Sequence, residues 1–488
     1  MSFHIDRTKD GMYYSEQIRN GQVSSQELLM ASFKSIKEKN ALLNAAVHTR
    51  EETALSESRE ESWVNGPFGG VPILLKELGQ NMIGEPARAG SKLLKDNRSS
   101  YTSHFVAQLQ KSGFIPIGST NVPEFGFTNI THSDIFGPAR NPFNSEFSAG
   151  GSSGGAASAV ASGMVPIAGA SDGGGSIRIP ASFTGLVGLK PTRGRTPIGP
   201  GAGRAWQGAA ISFALTKSIR DAAALLDHMQ VLQPAAAFQT PLYREGYLNS
   251  LTAPLNKKMR IAFSLKSPIG SQVSSEAEDA VLNAVNWLEQ KGFAVDQSEP
   301  DIDGVDLMKS YYVMNSGETA AMLGNMEKAL GRSITMEDVE LLTWVLYQSG
   351  KKVSAAEYSN TLSTWDDAAE KAALFNERYD LLLQPTTAEP APRVDKIYWS
   401  ESFKKKMRHI DTFSPADQQQ LIWDMWEESL SITPFTQQAN LTGQPAISLP
   451  THLTKEGMPL GIQFTAPKGK EHWLLQMGRM MEDDGLFV

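Results

Sequence analysis

The chain of 488 residues carries 45 Lys and Arg against 53 Asp and Glu, a formal net charge of -8, and is 41% hydrophobic. With no run of basic residues longer than Lys404-Lys405-Lys406, that balance excludes nucleic acid as the main partner, since phosphate binding is driven by clustered cations. The absence of cysteine excludes disulfides, thiolate metal sites and a cysteine nucleophile together.

The N-terminal stretch MSFHIDRTKDG has no apolar core of a signal peptide, and no stretch supplies the ~18 bulky apolar residues of a membrane span. The expectation is a cytoplasmic protein that does not meet a membrane. Ser24-x-x-Glu27 reads as a capping box, followed at helical spacing by Leu28, Leu29, Phe33 and Ile36. Phe68 to Leu75 (FGGVPILL) is an apolar run of strand length that ends on Lys76. Thr102 to Lys111 predicts a helix closed by Gly113, and Phe114 to Gly118 a strand. Residues 121–142 read as loop.

Next comes a Gly- and Ser-rich stretch, 150–195, too apolar in its middle to be a linker. Its clusters, Gly150-Gly151-Ser152-Ser153-Gly154-Gly155 and Asp172-Gly173-Gly174-Gly175-Ser176, flank a strand-like run at Val165 to Ala168. Ser218 caps a predicted helix reaching about Leu232, and residues 233–258 read as a long surface connection. A strand at Met259 to Phe263, a helix at Ser275 to Gln290 with a second capping box (Ser275, Glu278) and a strand at Phe293 to Asp296 follow. Helical patterns fill Val305 to Arg378, and Tyr379 to Gln384 reads as a buried strand. The tail adds strands at Ala446 to Leu449 and Leu460 to Phe464 and a helix at Glu471 to Met481. No internal repeat interrupts this alternation, so a single interwoven α/β domain over residues 1–488 is expected.

Amide or ester hydrolysis needs a nucleophile, a base and donors for the developing oxyanion. The serine turns offer the first and third, since the N–H groups of Gly173, Gly174, Gly175 and Ser176 converge if the turn is tight; a purely structural glycine turn is the alternative. The eight histidines are scattered without H-x-x-x-H spacing, which speaks against a zinc site. Lys76 is a candidate base. At a pKa of about 10.4, fewer than about one lysine in 10³ is neutral at pH 7, and desolvation to about 8 raises that to roughly one in ten. The alternative is a lysine at a strand end whose ammonium reaches water. Gly150 to Gly154 also satisfies G-x-S-x-G, which would make Ser152 the nucleophile of a hydrolase elbow, but the preceding NPFNSEFSA is polar and turn-like where an elbow needs an apolar strand.

These residues resemble the amidase signature hydrolases. The resemblance rests on GGVPILLKE (69–77), IPIGSTNVPEFGF (115–127), FGPARNP (136–142), the core GGSSGG…DGGGSIRIPASFTGLVGLKPT (150–192), and NLTGQPAISLP and MPLGIQF (440–450, 458–464). Ser152 and Ser176 stand 24 positions apart (176 minus 152), as in the family pattern. The resemblance implies a Ser-Ser-Lys triad: Ser176 the nucleophile, Ser152 a bridging serine on a cis peptide bond and Lys76 the base. It further implies an oxyanion hole at Gly173, Gly174, Gly175 and Ser176, and support of the turn by Asp172 and Arg178. Phe127, Asn129 and Ser153 are expected to face substrate, and the acyl pocket is expected to be lined from the Phe125 to Asn129 loop, the Val305 to Leu323 region and the segment near Ile198 to Trp206. The implied fold is one α/β domain with a mixed, twisted central sheet flanked by helices on both sides.

Many relatives carry Ile or Thr where this chain has Gly173, and DGGGSIRIPA is similar to the branch that contains the aminohexanoate cyclic dimer hydrolases. An aliphatic or cyclic small-molecule amide is therefore the expected substrate, with no cofactor, no metal, and a monomer or homodimer as the working unit. A second reading from the same core is the glutaminase subunit of a tRNA-dependent amidotransferase, in which a partner chain contacts the nucleic acid. A third is a catalytically silent binding protein on the same fold.

Overall fold

The strand Pro72–Lys76 is buried at every position, which suits an apolar run paired on both edges and covered on both faces. In the computed structural model, which describes residues 3–59 and 66–488, it lies within one eleven-stranded sheet. Met1 and Ser2 of the N-terminal stretch lie outside the described residues. The strands are β1 (Ala46–Thr49), β2 (Pro72–Lys76), β3 (Ile115–Thr120), β4 (Ile167–Asp172), β5 (Val187–Lys190), β6 (Ile211–Thr216), β7 (Arg260–Phe263), β8 (Ala294–Gln297), β9 (Leu381–Pro385), β10 (Ala446–Leu453) and β11 (Pro459–Thr465). Their order is β1-β3-β2-β4-β6-β5-β10-β11-β9-β7-β8.

The sheet is mixed. β2 runs parallel to both β3 and β4, with Leu74 opposite Gly118 and Ala168. The parallel pairs β7/β8 and β7/β9 form the far end, and the antiparallel strands β6, β5, β10 and β11 join the two ends. Helices flank the sheet: Gly154–Ala161 packs on β4, Arg178–Thr184 on β5, β10 and β11, and Ser275–Gln290 on β9 and β11. A second core joins the helices Gly304–Leu330, Leu341–Gly350 and Pro415–Ile432 through Met308, Tyr312, Leu346, Ile422 and Met425. That helical layer forms the roof of the site.

The capping box of Ser24 and Glu27 forms, with both reciprocal hydrogen bonds, at the start of the helix Ser25–Leu43. The second box does not form as read. The N-cap is Ser274, whose hydroxyl accepts from the Ala277 N–H, one residue earlier than expected. Ser218 caps its helix, which ends at Met229 rather than near Leu232. The segment 233–258 is not wholly a surface connection: Thr240, Tyr247, Ser250 and Leu255 are buried. The strands β1, β5 and β6 and the helices of 401–442 were not read from the sequence and emerge only in the fold. No described helix is long and apolar enough to cross a membrane.

Candidate active site

Parallel pairing of β2 with β4 brings their carboxyl ends to one edge of the sheet, where Lys76 ends the first and Asp172 the second. Crevices at the carboxyl ends of parallel strands are where open α/β sheets bind ligands. Lys76 is 1% exposed. Its Nζ donates to Ser152 Oγ at 2.8 Å, to Ser171 Oγ at 3.0 Å and to the Ser171 carbonyl at 3.4 Å. Burial lowers the Lys76 pKa to about 7, against an opposing upward pull from Asp172. The peptide bond between Gly151 and Ser152 is cis.

Asp172 organises the second glycine turn from within. Its carboxylate accepts from the Gly175 N–H at 2.7 Å and the Ile177 N–H at 3.2 Å, and receives Arg178 on two oxygens, Nε at 3.0 Å and Nη2 at 3.0 Å. Burial pushes the Asp172 carboxyl up, but Arg178, then Lys190 and Asn440, outweigh it and hold the group at about 2. Both members of the pair are fully buried, so each is the other's counter-ion in a place water cannot supply one.

Three side chains outside the motif hold the carbonyls of the same turn. Asn440 Nδ2 donates to the Asp172 carbonyl at 3.0 Å, the Tyr311 hydroxyl to that of Gly173 at 3.1 Å, and Thr436 Oγ1 to that of Gly174 at 2.7 Å. In a trans peptide the N–H points opposite the carbonyl, so fixing these oxygens fixes the N–H groups of Gly173, Gly174 and Gly175. The Gly175 N–H is turned onto Asp172, which narrows the expectation of three glycine donors: Gly173, Gly174 and Ser176 are the amides that Asp172 does not engage. A Cβ at Gly175 would stand 2.2 Å from Thr436 Oγ1 at a φ of +125°, so no other residue fits there.

Ser152, Ser171, Gly173 and Ser176 face one cavity of about 960 Å³. Ser176 is half-buried and also borders a smaller chamber of about 60 Å³ under the helical roof. Among the described residues no hydrogen bond links Ser152 to Ser176. The chain from residue 27 to 475 matches the amidase family model. The chain belongs to the amidase signature family. Members of that family hydrolyse carbon–nitrogen bonds of amides.

This amidase is 41% identical over 470 residues to the lipoamidase of Enterococcus faecalis, an alignment that takes in 96% of this chain. It spans only 62% of that relative's length. The 6-aminohexanoate-cyclic-dimer hydrolase of Pseudomonas sp. (strain NK87) is 31% identical over 485 residues, 98% of this chain and 95% of the other. The structure of a 6-aminohexanoate cyclic dimer hydrolase complexed with substrate superposes with a TM-score of 0.89 at 30% identity, covering 99% and 98% of the two chains.

The remaining site residues of the amidase fall in different places. Phe127 lines both chambers and stacks on Trp206, ring centroids 5.9 Å apart. Asn129 borders the small chamber, but its Nδ2 is spent on the Ser429 carbonyl at 2.7 Å and Thr433 Oγ1 at 2.8 Å, tying the loop to the roof. Ser153, expected on the substrate side, is fully buried with its hydroxyl turned onto the Ser171 backbone at 3.3 Å. It braces β4, because the hydroxyl must satisfy itself once the serine is sealed behind the turn.

Trp206 and Tyr311 fall within the two segments expected to line the pocket, near Ile198 to Trp206 and over Val305 to Leu323, whereas Ser171, Thr436 and Asn440 were not legible as site residues. A Cβ on Gly173 would sit 3.0 Å from the Trp206 indole, so the glycine makes room for this ring. Trp206 itself has a φ of +54°, between Ala205 at +31° and Gln207 at +52°. Gly203 and the aromatic after it were the available signal, since left-handed backbone at non-glycine residues clusters at binding sites.

Proposed function

We propose that this amidase cleaves a carboxamide through a covalent acyl-enzyme, with Ser176 as nucleophile, Ser152 as proton relay and Lys76 as base. The observation that carries the reading is the 2.8 Å contact between Ser152 Oγ and a lysine amine whose pKa lies at about 7. At neutral pH about half of such amines are uncharged, the condition a general base requires. A neutral amine has two N–H bonds and one lone pair. The Ser171 carbonyl, which can only accept, and the Ser171 hydroxyl take the N–H bonds, leaving the lone pair to the Ser152 proton.

Ser176 Oγ attacks the carbonyl carbon as its proton moves to Ser152 and the Ser152 proton moves to Lys76. The oxyanion develops before the N–H groups of Gly173, Gly174 and Ser176, and each such donor is worth about 10² to 10³ in rate. Collapse breaks the C–N bond, and the proton returns from Lys76 through Ser152 to the leaving nitrogen. Water then attacks the ester by the same relay, releasing a carboxylate and restoring the Ser176 hydroxyl. Every proton in this cycle is carried by groups of the chain.

An aliphatic or cyclic amide is the substrate class. The large cavity has the volume for a drug-sized ligand and is walled by Phe125, Phe127, Ile198, Trp206 and Met322. Relatives whose names specify lipoamide and a cyclic aminohexanoate dimer agree with an extended apolar acyl group. The test is the isolated chain, without partners, given linear, cyclic and aryl amides while ammonia or amine is quantified, together with fluorophosphonate labelling mapped by peptide mass spectrometry. Turnover with the adduct on Ser176 is expected. An adduct on Ser152 that survives Ser176→Ala would overturn the roles, and turnover only with an added partner chain would favour an amidotransferase subunit.

A further inference from the structure

The helix Gly304–Leu330 offers one stripe to both chambers. Tyr311 and Asn315 line the small one, and Glu318 and Met322 the large one, at successive spacings of four, three and four. Tyr311 donates to the Gly173 carbonyl and borders the small chamber together with Ser176, so this end of the stripe lies close to the nucleophile, behind the peptide whose N–H faces the oxyanion. Glu318, seven residues on, is displaced by about 10 Å along the helix axis, at about 1.5 Å per residue.

Among the described residues lining the large cavity, Glu318 is the one carboxylate. Its Oε1 accepts from Gln207 Nε2 at 2.9 Å and from the Tyr358 hydroxyl, both neutral donors. No described residue donates to Oε2, and Glu318 forms no ion pair within the described chain. Neither arginine of the cavity pairs with Glu318. Arg193 donates to the carbonyls of Gly208, Asn440 and Leu441, and Arg204 lies over the Phe238 ring. A half-buried carboxylate without a counter-ion attracts a cation more strongly than one on the open surface.

We infer that the large cavity takes amides whose apolar chain carries an ammonium group about 10 Å from the scissile carbonyl, with Glu318 binding that ammonium. An extended chain covering this distance has about eight bonds. The inference rests on the amidase reading and adds to it the charge and length of the substrate. Glu318 also steadies the Trp206 loop through Gln207, so the informative variant is one that keeps the shape and removes the charge.

The experiment compares 8-aminooctanamide, octanamide and 4-aminobutanamide by ammonia release from the purified chain. Expected for the parent is a kcat/KM at least about tenfold higher for 8-aminooctanamide than for octanamide, the scale of a charge-assisted hydrogen bond, and no such advantage for 4-aminobutanamide. In Glu318→Gln, whose amide oxygen can still accept from Gln207 and Tyr358, the ratio falls to near one; circular dichroism matching the parent checks the fold. Should that variant not fold, the chain-length series in the parent decides the question. Equal use of the two eight-carbon amides, or a preference retained by folded Glu318→Gln, overturns the inference and leaves the amidase reading intact. Failure to cleave any amide, with no adduct on Ser176, overturns the amidase reading instead.

Discussion

Asn440 reaches Asp172 twice from one nitrogen: Nδ2 donates to the Asp172 carbonyl at 3.0 Å and to its Oδ1 at 2.9 Å, while Asn440 Oδ1 accepts from Arg178 Nη2 at 2.7 Å. One amide therefore closes a buried ring with the ion pair that shapes the glycine turn. Asn440→Ala leaves buried groups short of partners, and about 1–3 kcal/mol of stability is lost. The expected kinetic signature is a fall in kcat of about tenfold or more with KM little changed, because the Gly173 N–H is no longer held toward the oxyanion. Urea denaturation and steady-state kinetics measure the two effects, and an unaltered kcat would show that the turn holds itself.

Arg178→Met leaves the Asp172 carboxylate buried and unpaired. A loss of about 3–5 kcal/mol is expected, the range for removing one member of a buried pair. The pH dependence has a defined sign. With the folded pKa depressed to about 2, Asp172 stabilises the fold fully above its ordinary value of 3.8, and that contribution is lost as pH falls through about 2. Denaturation midpoints of the parent decline over that interval, and a variant lacking the carboxylate shows a shallower decline.

Lys76 sets the pH profile of catalysis. Since the neutral amine is the active form, kcat/KM rises with pH around a midpoint near 7. A flat profile from pH 5 to 9 contradicts a lysine base. The same depression means that the unfolded chain binds the extra proton between about 7 and 10.5, so the Lys76 contribution makes stability rise with pH across that window. Lys76→Met accordingly abolishes turnover while stabilising the fold at pH 7, by something on the order of 1–4 kcal/mol, readable in a thermal melt.

Tyr311 acts through the peptide plane it holds. Tyr311→Phe keeps the ring beside Trp206 and removes only the hydroxyl that meets the Gly173 carbonyl. A drop in kcat of roughly 3- to 30-fold is expected, below the loss from deleting an oxyanion donor outright, with KM and the pH midpoint unchanged. The rate of fluorophosphonate labelling should fall in proportion, since the phosphoryl oxygen occupies the same position. A change confined to KM would make Tyr311 a substrate contact and nothing more.

Much of this architecture could be read before any coordinates. The apolar run ending on Lys76, the capping box at Ser24 and Glu27, and the alternation of helix and strand are local patterns, and local patterns survive folding when the burial they imply is available. The serine and glycine clusters were legible because few backbones other than tight turns require such runs. Ser153 was misplaced because sequence cannot say to which side of a turn a hydroxyl points. Ser274 displaced Ser275 as cap because two adjacent serines satisfy the same pattern.

By itself the chain determined its chemistry set: two serines, a lysine closing an apolar run, and an acidic and a basic residue bracketing a glycine turn. Only the tertiary structure decided which distant groups complete it, because β2 and β4 become neighbours through sheet pairing, and Tyr311, Thr436 and Asn440 reach the turn from more than a hundred residues away. Hydrogen bonds of that range leave no periodic trace along the chain, since their geometry exists only after the sheet and the helical roof have packed. The lowered pKa of Lys76 belongs to the same class: desolvation is a property of the packed core, which no single stretch contains.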